Sequence, residues 1–205
     1  MELLYGTSNE GKLLLMRRML KPLNLTLKGL KDMKETVPEP EETGKTLLEN
    51  ARIKARAYYE AFQVPVFSCD TGLFFEGLPE ELQPGIYVRR IQGRSCTDQE
   101  LTDYFSSLAR QFGGLKGRYR SAVCFYRSGQ ERYESQDSSL WGLPFLITRI
   151  PHLKTQEGFP IDRLSVQISS GKYYYDLPDY AQDELAASAE GVQAFFRRSL
   201  NLTGE

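Results

Sequence analysis

A chain of 205 residues, 40% hydrophobic and 26% charged, can bury a substantial core and has the composition of a globular protein, most simply one domain. Its formal charge of -1 gives no global basic field, so neither nucleic acid nor an anionic membrane is expected as partner and any anion site must be local. Cys69, Cys96 and Cys124 are scattered without CxxC spacing, the start MELLYGTSNEGK lacks a basic and apolar leader, and no stretch approaches about 18 uncharged apolar residues. Reduced thiols and a cytoplasmic location follow as expectations.

In chain order, ELLYGT reads as a strand, TSNEGK as a polar turn, and KLLLMRRMLKPL as a helix with apolar residues at helical spacing. LTLKGL is a second strand and KETVPEPEETG an acidic, proline-bearing loop. KTLLENARIKARAYYEAF is an amphipathic helix stopped before Pro65. VPVFSCD is a strand ending on Asp70, with a turn at Thr71 and Gly72. After the turn-rich EGLPEELQPGIYVRRIQG comes a helix, TDQELTDYFSSLARQF, with Thr97 as N-cap and Glu100 three residues on. GRYRSAVCFYRSG through QERYESQDSS alternates like a hairpin, LPFLITRI and KYYYDL read as strands, and DELAASAEGVQAFFRRSL as a closing helix. Helices and strands alternate at the ends while hairpins sit in the middle, which predicts a three-layer α/β fold with a long central mixed β-sheet flanked by helices.

GTSNEGK joins a strand to a helix, so backbone N–H groups and a helix N-terminus would favour phosphate there, with Lys12 as a point charge. It is not a Walker A loop, which requires another glycine and a hydroxyl residue after the lysine; an ordinary polar turn is the alternative. Glu41 and Glu42 precede the second helix, and Glu49 and Lys54 lie in it; a divalent ion shared with polyphosphate needs only one or two such carboxylates. Helix-dipole pairing and a surface ion pair are the other readings of these groups. His152, the single histidine, reads as a surface residue without a zinc cluster, and no GxSxG elbow or Ser-His pair is evident. Metal-assisted attack by water on a phosphoryl group remains.

Together these segments resemble the inosine triphosphate pyrophosphatase family, which hydrolyses non-standard purine nucleoside triphosphates to the monophosphate and pyrophosphate. GTSNEGK is similar to its T-x-N-x-x-K phosphate loop through Thr7, Asn9 and Lys12. EETGKTLLENARIKA is similar to E-E-T-G-x-T-x-x-E-N-A-x-x-K-A, which implies Glu42 as a metal-side carboxylate and Lys54 as a phosphate-binding lysine. SCDTGL looks like D-D-S-G-L, with Asp70 on the second aspartate, implied to hold metal and to orient or deprotonate the attacking water, and Lys12 as its partner in catalysis. PGIYVRR is like P-G-[IV]-Y-S-A-R and EGFPID like G-F-G-Y-D, which places Arg90, Phe159 and Asp162 at the base and substrate pocket. The resemblance further implies Mg²⁺, a homodimer and one nucleotide pyrophosphatase-like domain over 1–205, with two lobes around a cleft.

Departures from the pattern are specific. Cys69 replaces the first aspartate, GFPIDRL lacks a tyrosine and a glycine, and Ala186, Ala187 and Ser188 stand where a base-reading S-H-R motif falls. The phosphate half is kept while the base half is changed. The leading expectation is therefore a Mg²⁺-dependent nucleoside triphosphate pyrophosphatase of altered base preference. A nucleotide-binding protein of the same fold with weak or no catalysis is the alternative, and an enzyme acting on another phosphate ester is a third.

Overall fold

The computed structural model describes residues 1–177 and 180–202, with the backbone alone over 180–186. The first apolar run forms β1 (Glu2–Tyr5), three of whose four residues are buried, as suits a parallel strand covered on both faces. The next segment forms α1 (Glu10–Leu20), which leads to β2 (Thr26–Lys28); α2 (Leu47–Phe62) leads to β3 (Val66–Phe75). Both β2 and β3 lie parallel to β1, one on each side, a pairing that requires crossover connections of this kind. Then follow a small antiparallel pair, β4 (Arg90–Ile91) with β5 (Arg94–Ser95), and α3 (Asp98–Phe112). β6 (Leu115–Tyr126), β7 (Arg132–Ser135), β8 (Phe145–Ile147) and β9 (Ser165–Gln167) pair antiparallel, and α4 (Tyr180–Leu200) closes the chain. The seven-stranded sheet runs β2-β1-β3-β6-β8-β9 with β7 also on β6. This is the mixed sheet flanked by helices that the alternation predicts.

Two compact units divide the chain: Met1–Thr71 with Ser121–Trp141 and Leu185–Glu205, and Gly72–Arg120 with Gly142–Glu184. In the first, Val192, Phe195, Phe196 and Leu200 of α4 join Leu13, Met16 and Leu20 of α1 in one core with Tyr5, Phe67 and Phe125. Tyr5 stacks on Phe67 at 4.6 Å, and Phe67 meets Phe196 edge-on at 4.8 Å, both favoured aromatic geometries. In the second, Leu101, Phe105, Leu108 and Ala109 form the inward stripe of α3 against Phe75, Phe145 and Ile147. The expected cap is present: Glu100 N–H donates to Thr97 Oγ1 at 3.3 Å and Thr97 N–H to Glu100 Oε2 at 2.8 Å.

Three expectations change. β3 does not stop at Asp70 but continues to Phe75, because Leu73 N–H finds Gly85 O at 2.9 Å and a Cβ at Gly72 would collide with that same oxygen. The absent side chain permits close pairing here rather than a turn. KYYYDL is not a strand: Tyr173 alone bridges Val166, and Tyr174–Asp176 turns so that Tyr174 packs on Phe145 in the second core. His152 is half-buried rather than on the surface; its Nδ1 accepts from Lys154 N–H at 3.0 Å and its Nε2 faces Asp176 Oδ1 at 3.2 Å. The three cysteines are free, and among the described residues no helix is long and apolar enough to cross a membrane.

Phe196→Ala empties a fully buried ring site between Phe67, Phe125 and Phe195, and urea unfolding is expected to show a loss of about 3–5 kcal/mol.

Candidate active site

Strand register brings the phosphate-loop segment and Asp70 to one place. Tyr5 pairs with Phe67 in parallel β1 and β3, so residues 68–70 run beside the chain as it leaves β1. Gly6 N–H donates to Phe67 O at 2.8 Å, and Ser68 Oγ donates to Gly6 O at 3.0 Å. Asp70 thus lies mid-strand in β3 yet beyond the carboxyl end of β1, with β1 flanked by β2 and β3. That is a switch point of the parallel part of the sheet, where α/β folds leave a crevice for ligands.

α2 brings the next groups. Its buried face consists of Asn50, Ala51, Lys54, Ala55 and Tyr58, a regular helical stripe in which two members are polar. Lys54 Nζ donates to Asp70 Oδ1 at 2.9 Å and to Glu42 Oε1 at 2.5 Å. The Lys54 and Asp70 side chains are each only 9% exposed, whereas Glu42 is 41% exposed. Burial alone pushes the Lys54 ammonium down; the Asp70 charge and the hydrogen bonds to Glu42 and Asp70 outweigh it and hold its pKa above the ordinary lysine value. Lys54 is a cation at neutral pH.

Asn50 is the residue that sequence reasoning left without a role. Its Oδ1 accepts from Gly44 N–H at 2.9 Å and its Nδ2 donates to Asp70 Oδ2 at 3.3 Å. Because the Gly44 contact must use the amide oxygen, the amide nitrogen is the end that faces the carboxylate. A Cβ at Gly44 would stand 2.6 Å from Asn50 Oδ1, so glycine there is what lets the acidic loop lie on the helix. The signal was available: Asn50 and Lys54 fall four apart on a stripe that otherwise reads apolar. Glu49, in contrast, is a cap, accepting from Lys45 and Thr46 N–H at 2.6 and 3.1 Å.

In the loop after β1, Asn9 caps α1, with Lys12 N–H donating to its Oδ1 at 3.0 Å; this turns Nδ2, a donor, away from the helix. Thr7 Oγ1 accepts from Asn9 N–H at 3.3 Å, and Ser8 Oγ donates to Glu39. The Lys12 ammonium makes no hydrogen bond or ion pair among the described residues, but its charge reaches Cys69, next to Asp70. The Cys69 thiol is pushed up to about 11: burial raises it most and Asp70 adds to the rise, while the Lys12 and Lys54 charges and a hydrogen bond with Tyr5 oppose it. A neutral thiol therefore stands where the D-D-S-G-L pattern has its first carboxylate.

The remaining expected residues lie in the second unit, apart from the α4 group. Arg90 stacks over Tyr87 at 5.2 Å, Phe159 is 41% exposed, and Asp162 O accepts from Ser165 N–H at 3.2 Å. Arg89 Nη1 reaches Gly158 O, in the Phe159 loop, at 3.5 Å. Ser188 is buried in α4, while the Ala186 side chain lies outside the described residues.

With that geometry in view, comparison with known proteins is direct. The solved Ham1 protein of Coxiella burnetii superposes with a TM-score of 0.72 at 24% identity over 98% of both chains, and that of Staphylococcus aureus with 0.69 at 20% identity over 97% and 99%; the fold is theirs. The sequence model of the Ham1 family matches residues 3–168. A dITP/XTP pyrophosphatase of Thermus thermophilus is 32% identical over 183 residues, covering 86% of this chain and 81% of its own. With the dITP/XTP pyrophosphatase of Aquifex aeolicus identity is 44%, over 44% of this chain and 42% of that protein, so the chain spans less than half of that relative. The protein belongs to the Ham1 family.

Asn50→Ala strands the Gly44 N–H and removes a donor from Asp70, and is expected to cost about 1–3 kcal/mol in urea unfolding. A second expectation concerns pH. Since folding raises the Cys69 thiol pKa, its contribution to stability is full below the ordinary thiol value of about 8.5 and is lost as pH rises towards about 11; that decline should be absent from the stability profile of Cys69→Ala.

Proposed function

We propose that the protein hydrolyses a nucleoside triphosphate to the monophosphate and pyrophosphate, with a base preference altered from that of its relatives. The observation that carries this reading is the buried Lys54 ammonium held between Glu42 and Asp70, with Cys69, next to Asp70, feeling the charges of both Lys12 and Lys54. Relatives named dITP/XTP pyrophosphatase support it. Lys12, the Thr7 hydroxyl, the Asn9 amide and the first N–H groups of α1 bind phosphate oxygens. Lys54 neutralises further phosphate charge. Asp70, fixed by Asn50 and Lys54, orients a water and takes its proton as the water oxygen bonds to the α-phosphorus and the bond to the β-phosphate bridging oxygen breaks.

A divalent cation fits this donor set if it arrives with the substrate. Glu42 and Asp70 offer hard carboxylate oxygens, and Mg²⁺ bound with polyphosphate needs one or two of these, its other positions going to phosphate and water. Among the described residues no group of three or more His, Cys, Asp or Glu gathers into a cage, and the neutral Cys69 thiol is a poor ligand for such an ion. Held by Glu42 and Asp70, Mg²⁺ would neutralise the charge of the phosphoryl oxygens. Phe159, Asp162 and Arg90 receive the base and sugar, and a cytoplasmic homodimer completes the proposal on the strength of the family resemblance.

A second reading, nucleotide binding with little turnover, is favoured by Cys69 and by the commitment of both carboxylates to Lys54. Pyrophosphate release from inosine, xanthosine and standard triphosphates, with and without Mg²⁺, separates the two: release supports hydrolysis, and binding without release supports the second. For the hydrolase, Asp70→Asn is expected to lower kcat by about 10²–10⁴-fold while KM changes little.

A further inference from the structure

The first turn of α3 grips the segment that carries Phe159. Asp98 Oδ2 accepts from Gly158 N–H at 2.7 Å, on one side of Phe159. One turn later, the buried Thr102 hydroxyl lies 3.2 Å from Pro160 O, on the other side, and 2.9 Å from Asp98 O. Phe159 is thus anchored through both neighbours, yet its own side chain remains 41% exposed. Gly158 has φ of +83°, a conformation that suits glycine, so the loop takes a sharp, specific path between its two anchors.

The second oxygen of Asp98 has a different task. Oδ1 accepts from Arg89 Nη2 at 2.6 Å, and Arg89 Nη1 reaches Gly158 O at 3.5 Å. Arg89 occupies the position that the P-G-[IV]-Y-S-A-R pattern fills with alanine. One carboxylate therefore ties the PGIYVRR segment, the start of α3 and the EGFPID segment together. Arg89 is 54% exposed, so the ion pair itself adds little stability; the bond to the Gly158 backbone fixes the loop.

An aromatic ring that is held at both flanks and left uncovered suits a flat apolar ligand, since stacking then costs little ordering of the protein. We propose that Asp98, assisted by Thr102, is a positioning residue that presents Phe159 to the base of the bound nucleotide. This rests on the triphosphate reading given above.

Calorimetry on the full chain tests it with two probes: a non-hydrolysable imido analogue of inosine triphosphate, and inorganic tripolyphosphate, which has no base. Asp98→Ala and Phe159→Ala are each expected to weaken the analogue about 10-fold, the double variant no further, while tripolyphosphate stays within about twofold. Asp98→Asn, which keeps an oxygen for the Gly158 N–H, should restore most of the affinity. Thr102→Val gives an independent loss if Asp98→Ala does not fold, as judged by its melting temperature. Unchanged analogue affinity in the Asp98 and Thr102 variants, or an equal loss for both probes, overturns the inference while leaving the triphosphate reading in place. Failure of the unaltered protein to bind either compound overturns both.

Discussion

The candidate site depends on one buried ammonium group. Placing Lys54, at 9% exposure, inside the protein carries a desolvation cost of several kcal/mol that only close, well-directed countercharge can offset. Asp70 and Glu42 supply it from two different segments, a strand and a loop, so the position of α2, the path of the acidic loop and the depth of β3 are linked through a single nitrogen. Asn50 makes the arrangement definite by holding the loop backbone with one end of its amide and Asp70 with the other.

Local pattern made much of this legible. The strand-loop-helix at the start of the chain, the helix stopped before Pro65, the capping box at Thr97 and the mixed sheet all follow from periodicity and turn chemistry acting within about a dozen residues. What was not legible depended on partners far along the chain. Gly72 reads as a turn until Gly85 O is seen against it, and the tyrosines of KYYYDL read as a strand until Tyr174 is seen to pack on Phe145. Asn50 falls between these cases: helical spacing puts it on the inward face, but only the fold supplies Gly44 and Asp70.

The family pattern transfers unevenly. The residues that gather closely, Lys54, Glu42 and Asp70, come from the longest uninterrupted motif matches, where backbone geometry and side-chain chemistry constrain each other. Where the pattern breaks, this chain has a neutral thiol at Cys69 and an Arg89 bonded to Asp98. Sequence likeness identified the frame, while the interactions at Cys69 and Arg89 are described by no motif.

The double engagement of Lys54 also sets an entry threshold for ligands. An anion that draws Lys54 towards itself must outcompete a carboxylate already in hydrogen-bonding contact, and the gain available grows with the charge the anion carries. A singly charged anion offers little surplus over the resident acids, whereas one that carries several charges offers more. Selection by charge count is therefore inherent in the resting pairing of Lys54 with Glu42 and Asp70.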